Sequence, residues 1–207
     1  MSKVRVGLIL DSTIVSKQIY DLLILSKSSK YYEISHLILQ KTDERYPGNF
    51  INKCWKYISK RGLKKFINNA SFSILYKLES IVTKKIYLQF RTFFDLYDIS
   101  NFDLEHVNVK PIFSSSVLVY RYNENDLAKI KSLNLNLLIR GGSGILRGKI
   151  LNICENGVIS FHHGDNDINR GGPPGFWEVF NRQKRTGFVI QKLTEELDGG
   201  DVIFKGY

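Results

Sequence analysis

The residues best suited to chemistry lie in one run, ISFHHGDNDINRGGPPGFWEVF, at positions 159–180. Two adjacent histidines, His162 and His163, follow a short hydrophobic stretch and precede a glycine and three acidic or amide residues. Imidazole and carboxylate groups can exchange protons with a substrate near neutral pH, and they are also common metal ligands. The run therefore raises two possibilities, a metal site and a site for proton transfer.

The spacing of these residues argues against a metal site. Successive residues of a strand point to opposite faces, so His162 and His163 cannot both bind one ion while the strand continues. Asp165, Asp167 and Asn169 alternate as in a calcium-binding loop. That loop would need a glycine where Arg170 stands and a glutamate where Phe176 stands. We therefore predict that no metal is bound.

Proton transfer fits the pattern better. Ser160 lies two residues before His162, which places both side chains on one face of a strand but forms no nucleophile elbow. An acid, Asp198, lies in the distant loop EELDGGD. A neutral histidine and a carboxylate from separate loops suit proton transfer and oxyanion stabilisation during attack by an amine or by water. We predict a catalytic site that contains His162 and Asp198.

Alternating strands and helices position this site. The turn after the first strand lacks a G-x-G-x-x-G fingerprint, but the strand–helix–strand start implies a parallel sheet with a right-handed crossover. The predicted strands are residues 3–10, 32–40, 117–120, 133–140, 157–162, 187–193 and 201–204, and the predicted helices are 12–26 (capped by Ser12 or Thr13), 123–132, 146–154 and 173–181. Ligands of such sheets bind outside the carboxyl ends of strands, so GGSGIL, SFHHGDND and EELDGGD should meet in one cleft.

The segment at about 41–101 interrupts the alternation. Apolar residues recur there at spacings of three and four with lysines between them, which predicts two amphipathic helices. Residues 45–91 contain eleven Lys or Arg and one acid, and eleven minus one equals the net charge of +10 of the whole chain. This insertion could attract nucleic acid, an anionic membrane surface or a phosphorylated substrate, or it could be a solvated helical face.

The composition indicates a globular protein of a reducing compartment. With 207 residues and 43% hydrophobic content, we predict a single α/β domain over 1–207 with a helical insertion at about 41–101. No apolar run is long enough to span a bilayer, and the N-terminus reads as a strand rather than a signal peptide. The two cysteines, Cys54 and Cys154, are far apart, so we predict no disulfide framework and a cytoplasmic location.

From residue 133 onwards, the sequence resembles the catalytic domain of the folate-dependent formyltransferases, which include the methionyl-tRNA, glycinamide ribonucleotide and nucleotide-sugar enzymes. That family has a glycine-rich turn ending in Ile-Leu, a strand ending in Asn-x-His, an Arg-Gly step before a helix-starting proline, a Thr-Gly pair and an Asp-x-Gly loop. The matching residues here are Gly141 to Leu146, Ser160 to His162, Arg170, Gly171 and Pro174, Thr186 and Gly187, and Asp198 to Gly200.

The resemblance implies a Rossmann-like formyltransferase domain, with a mostly parallel twisted sheet flanked by helices and a basic helical insertion. It implies transfer of a formyl group from 10-formyltetrahydrofolate to a primary amine. His162 would stabilise the oxyanion, while Asp198 would orient the histidine and assist proton transfer. Two segments would hold the pterin through backbone groups, which glycines leave accessible: Gly141, Gly142, Ser143, Gly144, Ile145 and Leu146, and Leu197, Gly199 and Gly200.

Two departures from the family fall within the site. Ser160 stands where the family has asparagine, and His163 stands where it has proline. A serine hydroxyl reaches less far than a carboxamide, and losing an oxyanion donor costs on the order of a hundredfold in rate. Either His163 or a water takes over the donor role, or the chain is a formyltransferase-fold pseudoenzyme or binding module.

The predicted acceptor is a small-molecule amine, such as an amino sugar carried on a nucleotide or another anionic group that the basic insertion could hold. Arg170, Gly171 and Gly172 are the predicted substrate contacts, although Arg170 could instead pair with Asp165 or Asp167. A formyltetrahydrofolate hydrolase is the nearest enzymatic alternative. Binding of tRNA or other nucleic acid through the insertion is another, although the insertion lacks regular aromatic–basic interleaving.

Overall fold

The computed structural model describes residues 2–42, 49–88, 92, 95–165, 167–168, 175–197 and 199–207, without the side chains of Phe50, Lys53 and Lys60. The chain divides into two compact units. The first, here called the sheet unit, comprises Met1–Ser12, Leu23–Lys41 and Phe102–Tyr207. The second, the helical unit, comprises Thr13–Leu22 and Thr42–Asn101, which resembles the predicted insertion in extent. The prediction of a single domain stays a prediction.

The sheet unit contains most of the strands. They are β1 (Val4–Leu10), β3 (Tyr32–Gln40), β5 (Glu105–Val109), β6 (Ile112–Phe113), β7 (Val119–Arg121), β8 (Leu137–Arg140), β9 (Ile145–Leu146), β10 (Val158–His163), β11 (Phe188–Lys192) and β12 (Asp201–Gly206). Its helices are α4 (Glu124–Ser132), α5 (Phe176–Phe180) and a 3-10 turn at Lys149–Asn152. Helix α1 (Lys17–Ser28) is divided between the units at Leu23.

Seven strands form one sheet in the order β12-β11-β10-β8-β1-β3-β5. Strands β5, β3, β1, β8 and β10 run parallel, and β11 and β12 pair antiparallel at one edge. The predicted α/β class with a mostly parallel sheet is therefore confirmed. The strand order reverses at β1, whose neighbours are β3 and β8, and the crevice at such a switch point is where ligands bind in open α/β sheets.

The core covers the sheet face that also carries the candidate site. Ile9, Leu138 and Val158 project from three adjacent strands and are almost fully buried. Helix α4, the 3-10 turn and a small sheet, β6-β7-β9, pack over them with side chains such as Tyr120 and Ile150. Burying each such side chain stabilises the fold by about 1.5–3 kcal/mol. The carboxyl ends of β8 and β10 thus lie next to this packed layer.

Two of the predicted helices differ from the structure. The one expected at 12–26 begins only at Lys17, because Ile14–Ser16 form strand β2, which pairs antiparallel with β4 (Leu96–Asp98). Two adjacent β-branched residues favour that extended pairing, so Ser12 and Thr13 do not cap the helix. The one expected at 146–154 shortens to the 3-10 turn, since Gly148 precedes it with a left-handed φ of 82°.

The helical unit contains α2 (Phe50–Arg61) and α3 (Leu63–Ile86), which confirms the two helices predicted for the insertion. Asn49 caps α2 by accepting a hydrogen bond from the backbone N–H of Asn52 at 3.0 Å. Gly62, with a φ of 83°, joins the two helices. No helix in the described part of the chain is long and apolar enough to cross a membrane.

Candidate active site

Three polar side chains stand in a row across the sheet where the core ends. Arg140 of β8 pairs with Ser160 of β10, and Ser160 pairs in turn with Gln191 of β11. Directly paired residues point to the same face of a sheet, and His162 lies two positions further along that face of β10. Ser160 and Gln191 are 6% and 3% exposed. The fold thus brings four polar groups from three strands to one place.

These four side chains line a cavity of about 100 Å³. Residues 144–147 form one further wall, and Leu193, Thr194, Glu196, Leu197 and Gly200 form another. The three segments that the sequence predicts to converge therefore each contribute to one cavity. Because sites for whole ligands occupy roughly 300–1,000 Å³, this cavity has room for the reacting end of a ligand, and the remainder must lie outside it.

Arg140 is a cavity residue that the sequence did not single out. Its Nε–H is buried and has no hydrogen-bond acceptor among the described residues. Burial lowers the pKa of Arg140, and the negative charge of Asp11 opposes that shift. A guanidinium remains charged in proteins, so the cavity contains a fixed positive charge with an available donor. In the sequence, the only indication of this role was that a cation, Arg140, ends the apolar run Leu137-Leu138-Ile139.

A hydrogen-bond network fixes the glycine-rich turn beside the cavity. Asp11 accepts hydrogen bonds from the backbone N–H of Ser143 and from the Gln40 side chain, both at 2.8 Å. The Tyr122 hydroxyl donates to the Gln40 side-chain oxygen, and burial raises the pKa of Tyr122, which keeps that hydroxyl protonated. Both carboxylate oxygens of Asp11 are therefore engaged, and the residue acts in positioning the turn.

Gly144 is required for a reason other than the expected one. Its φ is 83°, and a Cβ placed there would lie 2.4 Å from the ring of Tyr120. Gly200 is similarly constrained, because a Cβ would lie 2.3 Å from the carbonyl oxygen of Lys192. The sequence suggested that glycines leave room for a flat heterocycle. At these two positions the backbone and its own neighbours already exclude a side chain.

The structure brings only part of the predicted site together. Of the expected donor-binding residues, Gly144, Ile145, Leu146, Leu197 and Gly200 line the cavity. Gly141, Gly142, Ser143 and Gly199 are outside its lining. The predicted residues Asp198, Arg170, Gly171 and Gly172 lie outside the described residues, so their roles stay predictions. Leu197 and Gly200, which flank Asp198 on either side, both border the cavity.

His163 lies apart from the other candidates. It alternates to the opposite face of β10, where its exposed ring contacts Phe161 edge to face at a centroid distance of 4.8 Å. Burial, and to a lesser degree the charge of His162, lowers the pKa of His163. The expectation that His163 replaces the family's asparagine as a donor therefore finds no support in the geometry, because strand alternation turns its side chain away from Ser160.

The acids of the GDND run anchor their loop to the last strand. Asp165 contacts Lys205 Nζ at 2.6 Å and accepts a hydrogen bond from the Tyr207 hydroxyl at 3.0 Å. Lys205 also reaches Asp167 at 2.8 Å. Among the described residues, no group of three or more His, Cys, Asp or Glu side chains is placed to hold a metal ion. The run thus has a structural role that spacing alone did not indicate.

Asp165→Asn is expected to lower the free energy of unfolding by about 1–3 kcal/mol at pH 7, because it weakens hydrogen bonds to a buried charge. The hydrogen bond from Lys205 holds the pKa of Asp165 below its ordinary value of 3.8. The stabilisation is therefore fully present above that value and is lost as the pH falls through the folded-state pKa. Urea denaturation at several pH values measures both effects.

The matched control for this prediction is Asp167→Asn, since that carboxylate contacts the same lysine but is 82% exposed. It should cost at most about 0.5 kcal/mol. Equal losses in the two variants, or a loss in Asp165→Asn that is the same at pH 7 and in strong acid, would contradict the anchoring role.

The sequence has relatives among methionyl-tRNA formyltransferases. It is 37% identical over 78 residues to the enzyme of Clostridioides difficile, and this match covers 37% of the chain and 25% of that protein. It is 32% identical over 83 residues to the enzyme of Bacillus velezensis, covering 40% of the chain and 26% of that protein. The match thus spans about a quarter of the length of these relatives. No protein-family model matches the chain.

Solved structures of related enzymes share the fold along nearly the whole chain. A formyltetrahydrofolate deformylase from Pseudomonas syringae aligns with a TM-score of 0.54 and 16% identity, covering 99% of this chain and 51% of that one. A phosphoribosylglycinamide formyltransferase from Campylobacter jejuni aligns with a TM-score of 0.51 and 18% identity, covering 98% and 80%. This chain therefore shares the Rossmann-like fold of these structures, and over 78 to 83 residues its sequence is similar to methionyl-tRNA formyltransferases.

Proposed function

We propose that the protein is an N-formyltransferase that moves a formyl group from 10-formyltetrahydrofolate to a primary amine. One observation carries the proposal: His162 shares a cavity with the polar side chains of Arg140, Ser160 and Gln191. The cavity lies at the carboxyl ends of β8 and β10, next to the segments that match the family's donor-binding motifs. The relation to methionyl-tRNA formyltransferases supports the same chemistry.

The donor set fits a formyl carbonyl. An oxygen that gains negative charge is stabilised by N–H donors fixed in a site that excludes water, and the cavity offers an imidazole, a guanidinium and a carboxamide. The same space is bordered by residues 144–147 and by Leu193, Thr194, Glu196, Leu197 and Gly200, and the hydrogen-bonding edge of a pterin would lie there. When bound, 10-formyltetrahydrofolate would supply an activated formyl group.

In the proposed reaction, His162 donates a hydrogen bond to the formyl oxygen as the acceptor nitrogen bonds to the carbonyl carbon. The bond between that carbon and the folate nitrogen then breaks, and the proton lost by the acceptor amine passes to the folate nitrogen. Asp198 is the proposed carrier of this proton, as the family motif implies. Arg140 places a positive charge next to the developing negative charge and lowers its energy.

Arg140 is the proposed replacement for the family's asparagine. The Ser160 hydroxyl lies 3.3 Å from the carbonyl oxygen of Phe161 and donates to it, so its only proton is directed at the backbone. Arg140 is directly opposite Ser160 in the sheet, and its buried Nε–H has no acceptor among the described residues. A charged donor from the neighbouring strand can therefore take over the oxyanion contact.

The proposed acceptor is an amino sugar carried on a nucleotide or another anionic group, in a cytoplasmic setting. The excess of Lys and Arg at 45–91 favours an anionic acceptor, because opposite charge raises the local concentration of a substrate.

The test incubates the full chain with 10-formyltetrahydrofolate and a panel of nucleotide-linked amino sugars, glycinamide ribonucleotide and methionyl-tRNA. Tetrahydrofolate release and the mass of the formylated amine are followed.

We expect tetrahydrofolate release that depends on one of these amines. A hydrolase, which the deformylase neighbour makes a specific alternative, would instead release formate at the same rate without any acceptor. Saturable binding of 10-formyltetrahydrofolate with no release of tetrahydrofolate under any condition would identify a binding module. Either of these outcomes overturns the transferase proposal.

A further inference from the structure

Helix α3 carries a row of aliphatic side chains that nothing in the described chain covers. The helix has 24 residues, and none of them is buried. Ile67, Ile74, Leu78 and Ile81 lie at intervals of seven, four and three, which places them along one side of the helix. They are between 46% and 61% exposed. We call these four residues the α3 row.

Helix α2 presents a smaller surface of the same kind. Ile51 and Trp55 are one helical turn apart and are 65% and 68% exposed. A tryptophan with both an apolar ring and an N–H group is characteristic of the boundary between hydrocarbon and water. Exposed apolar groups in such number are unusual for a surface that faces only water.

The same two helices are strongly basic. Residues 50–86 contain nine Lys or Arg and one acid, and nine minus one gives a net charge of +8. The described basic side chains that are exposed are Lys56, Arg61, Lys64, Lys65, Lys77 and Lys85. The α3 row and a high positive charge therefore occur on the same two helices, and whatever covers these helices must offer both an apolar interior and negative charge.

We propose that α2 and α3 bind to the surface of an anionic lipid bilayer. Basic amphipathic helices lie in the plane of such a surface, with aliphatic and aromatic side chains among the acyl chains and lysines at the headgroups. Each lysine near an anionic leaflet strengthens binding roughly fivefold, and long lysine side chains reach the headgroups while their stems stay apolar. The absence of a spanning helix among the described residues agrees with binding in the plane.

Other occupants fit this surface less well. A second copy of the chain would bring two surfaces of charge +8 together, and like charges in an interface repel. Single-stranded nucleic acid binds through aromatic stacking platforms. The exposed rings of Trp55, Phe72 and Tyr76 could stack on bases, but the four aliphatic side chains of the α3 row could not and would stay exposed to water. An anionic bilayer covers the aliphatic side chains, accommodates the aromatic rings and matches the charge of these helices.

Co-sedimentation with lipid vesicles tests the proposal on the full chain. The protein should bind vesicles of about seven parts phosphatidylcholine to three parts phosphatidylglycerol at least tenfold more tightly than pure phosphatidylcholine. Binding should weaken steeply as NaCl is raised from about 0.05 M to about 0.5 M. In a Trp177→Phe background Trp55 is the sole tryptophan, and its fluorescence should shift to shorter wavelength on binding.

Two pairs of variants separate the apolar and the electrostatic contributions. Leu78→Asp should weaken vesicle binding at least tenfold, whereas Leu25→Asp, at a similarly exposed leucine of α1, should leave it unchanged. The double change Lys64→Gln, Lys65→Gln should weaken binding roughly 25-fold, whereas Lys131→Gln in α4 should have little effect. All of these side chains are exposed, so the variants should fold as the parent does.

The proposal is overturned by equal binding to anionic and neutral vesicles, or by no binding to either. It is also overturned if light scattering shows a stable dimer that Leu78→Asp dissociates, or if single-stranded RNA competes the protein off the vesicles. None of these results depends on formyl transfer, so they test membrane binding independently of the proposed function.

Discussion

Replacing His162 with alanine is expected to lower kcat for formyl transfer by roughly 10²–10⁴-fold, with little change in the KM of the acceptor amine. His162 lies on the same face of β10 as Ser160 and lines the cavity. No other imidazole among the described residues lines it. Its proposed contact with the formyl oxygen strengthens only as charge develops, so the loss should appear in kcat. Steady-state rates of tetrahydrofolate release measure it.

His163→Ala and His106→Ala provide the comparison. His163 is adjacent in sequence but points to the other face of β10, and His106 is an exposed residue of β5. Since neither ring lies at the cavity, His106→Ala should retain the parent rate, and His163→Ala should lose at most about tenfold through strand packing. A His163→Ala loss that equals that of His162→Ala, or an active His162→Ala enzyme, would contradict the assignment.

The contrast between the two histidines shows what a sequence can establish about this site. Strand periodicity alone places His162 and Ser160 on one face and His163 on the other. The carboxyl-end rule predicts that the segments at 141–146, 160–167 and 195–201 converge, and residues from each line one cavity. The bounds predicted for β3, residues 32–40, coincide with the observed Tyr32–Gln40 because that run is long and strongly apolar.

What the sequence could not provide is which strands are neighbours and in what register. Arg140 and Gln191 become site residues only because β8 and β11 flank β10 with both residues opposite Ser160. A shift of one residue in either pairing would turn their side chains to the opposite face. The role of Asp11 has the same origin, since its partners Gln40 and Ser143 are distant in sequence.

Some errors arose from local preference rather than register. Residues 12–26 have a helical pattern, and pairing with β4 nevertheless makes Ile14–Ser16 a strand. Strand β5, with the sequence EHVNV, was not predicted because its polar residues obscure any apolar run. It lies at the edge of the sheet beside β3, where an exposed strand tolerates polar side chains.

Arg140→Met is expected to lower kcat by roughly 10²–10³-fold, the usual cost of removing an oxyanion donor. Methionine keeps an apolar stem of similar length but removes the charge and the N–H groups. Ser160→Ala should cost less than about tenfold, because the serine hydroxyl is directed at the Phe161 carbonyl oxygen. Kinetics of both single variants and of the double variant measure whether the arginine has taken over the family asparagine's contact.

A structural role for Arg140 would also reduce activity, so the decisive readout is chemical rescue. Arg140→Ala leaves space for a free guanidinium ion, which should restore kcat in proportion to its concentration at levels too low to unfold the protein. Arg140→Lys should recover only part of the rate, because an ammonium lacks the planar set of N–H donors. If Arg140→Met and Arg140→Ala lose activity only in step with thermal stability, and guanidinium restores nothing, then Arg140 supports the sheet and another group must stabilise the oxyanion. If Arg140→Met keeps the parent's activity, Arg140 neither stabilises the oxyanion nor supports the sheet. Ser160 or Gln191 must then make the oxyanion contact that asparagine makes in the family.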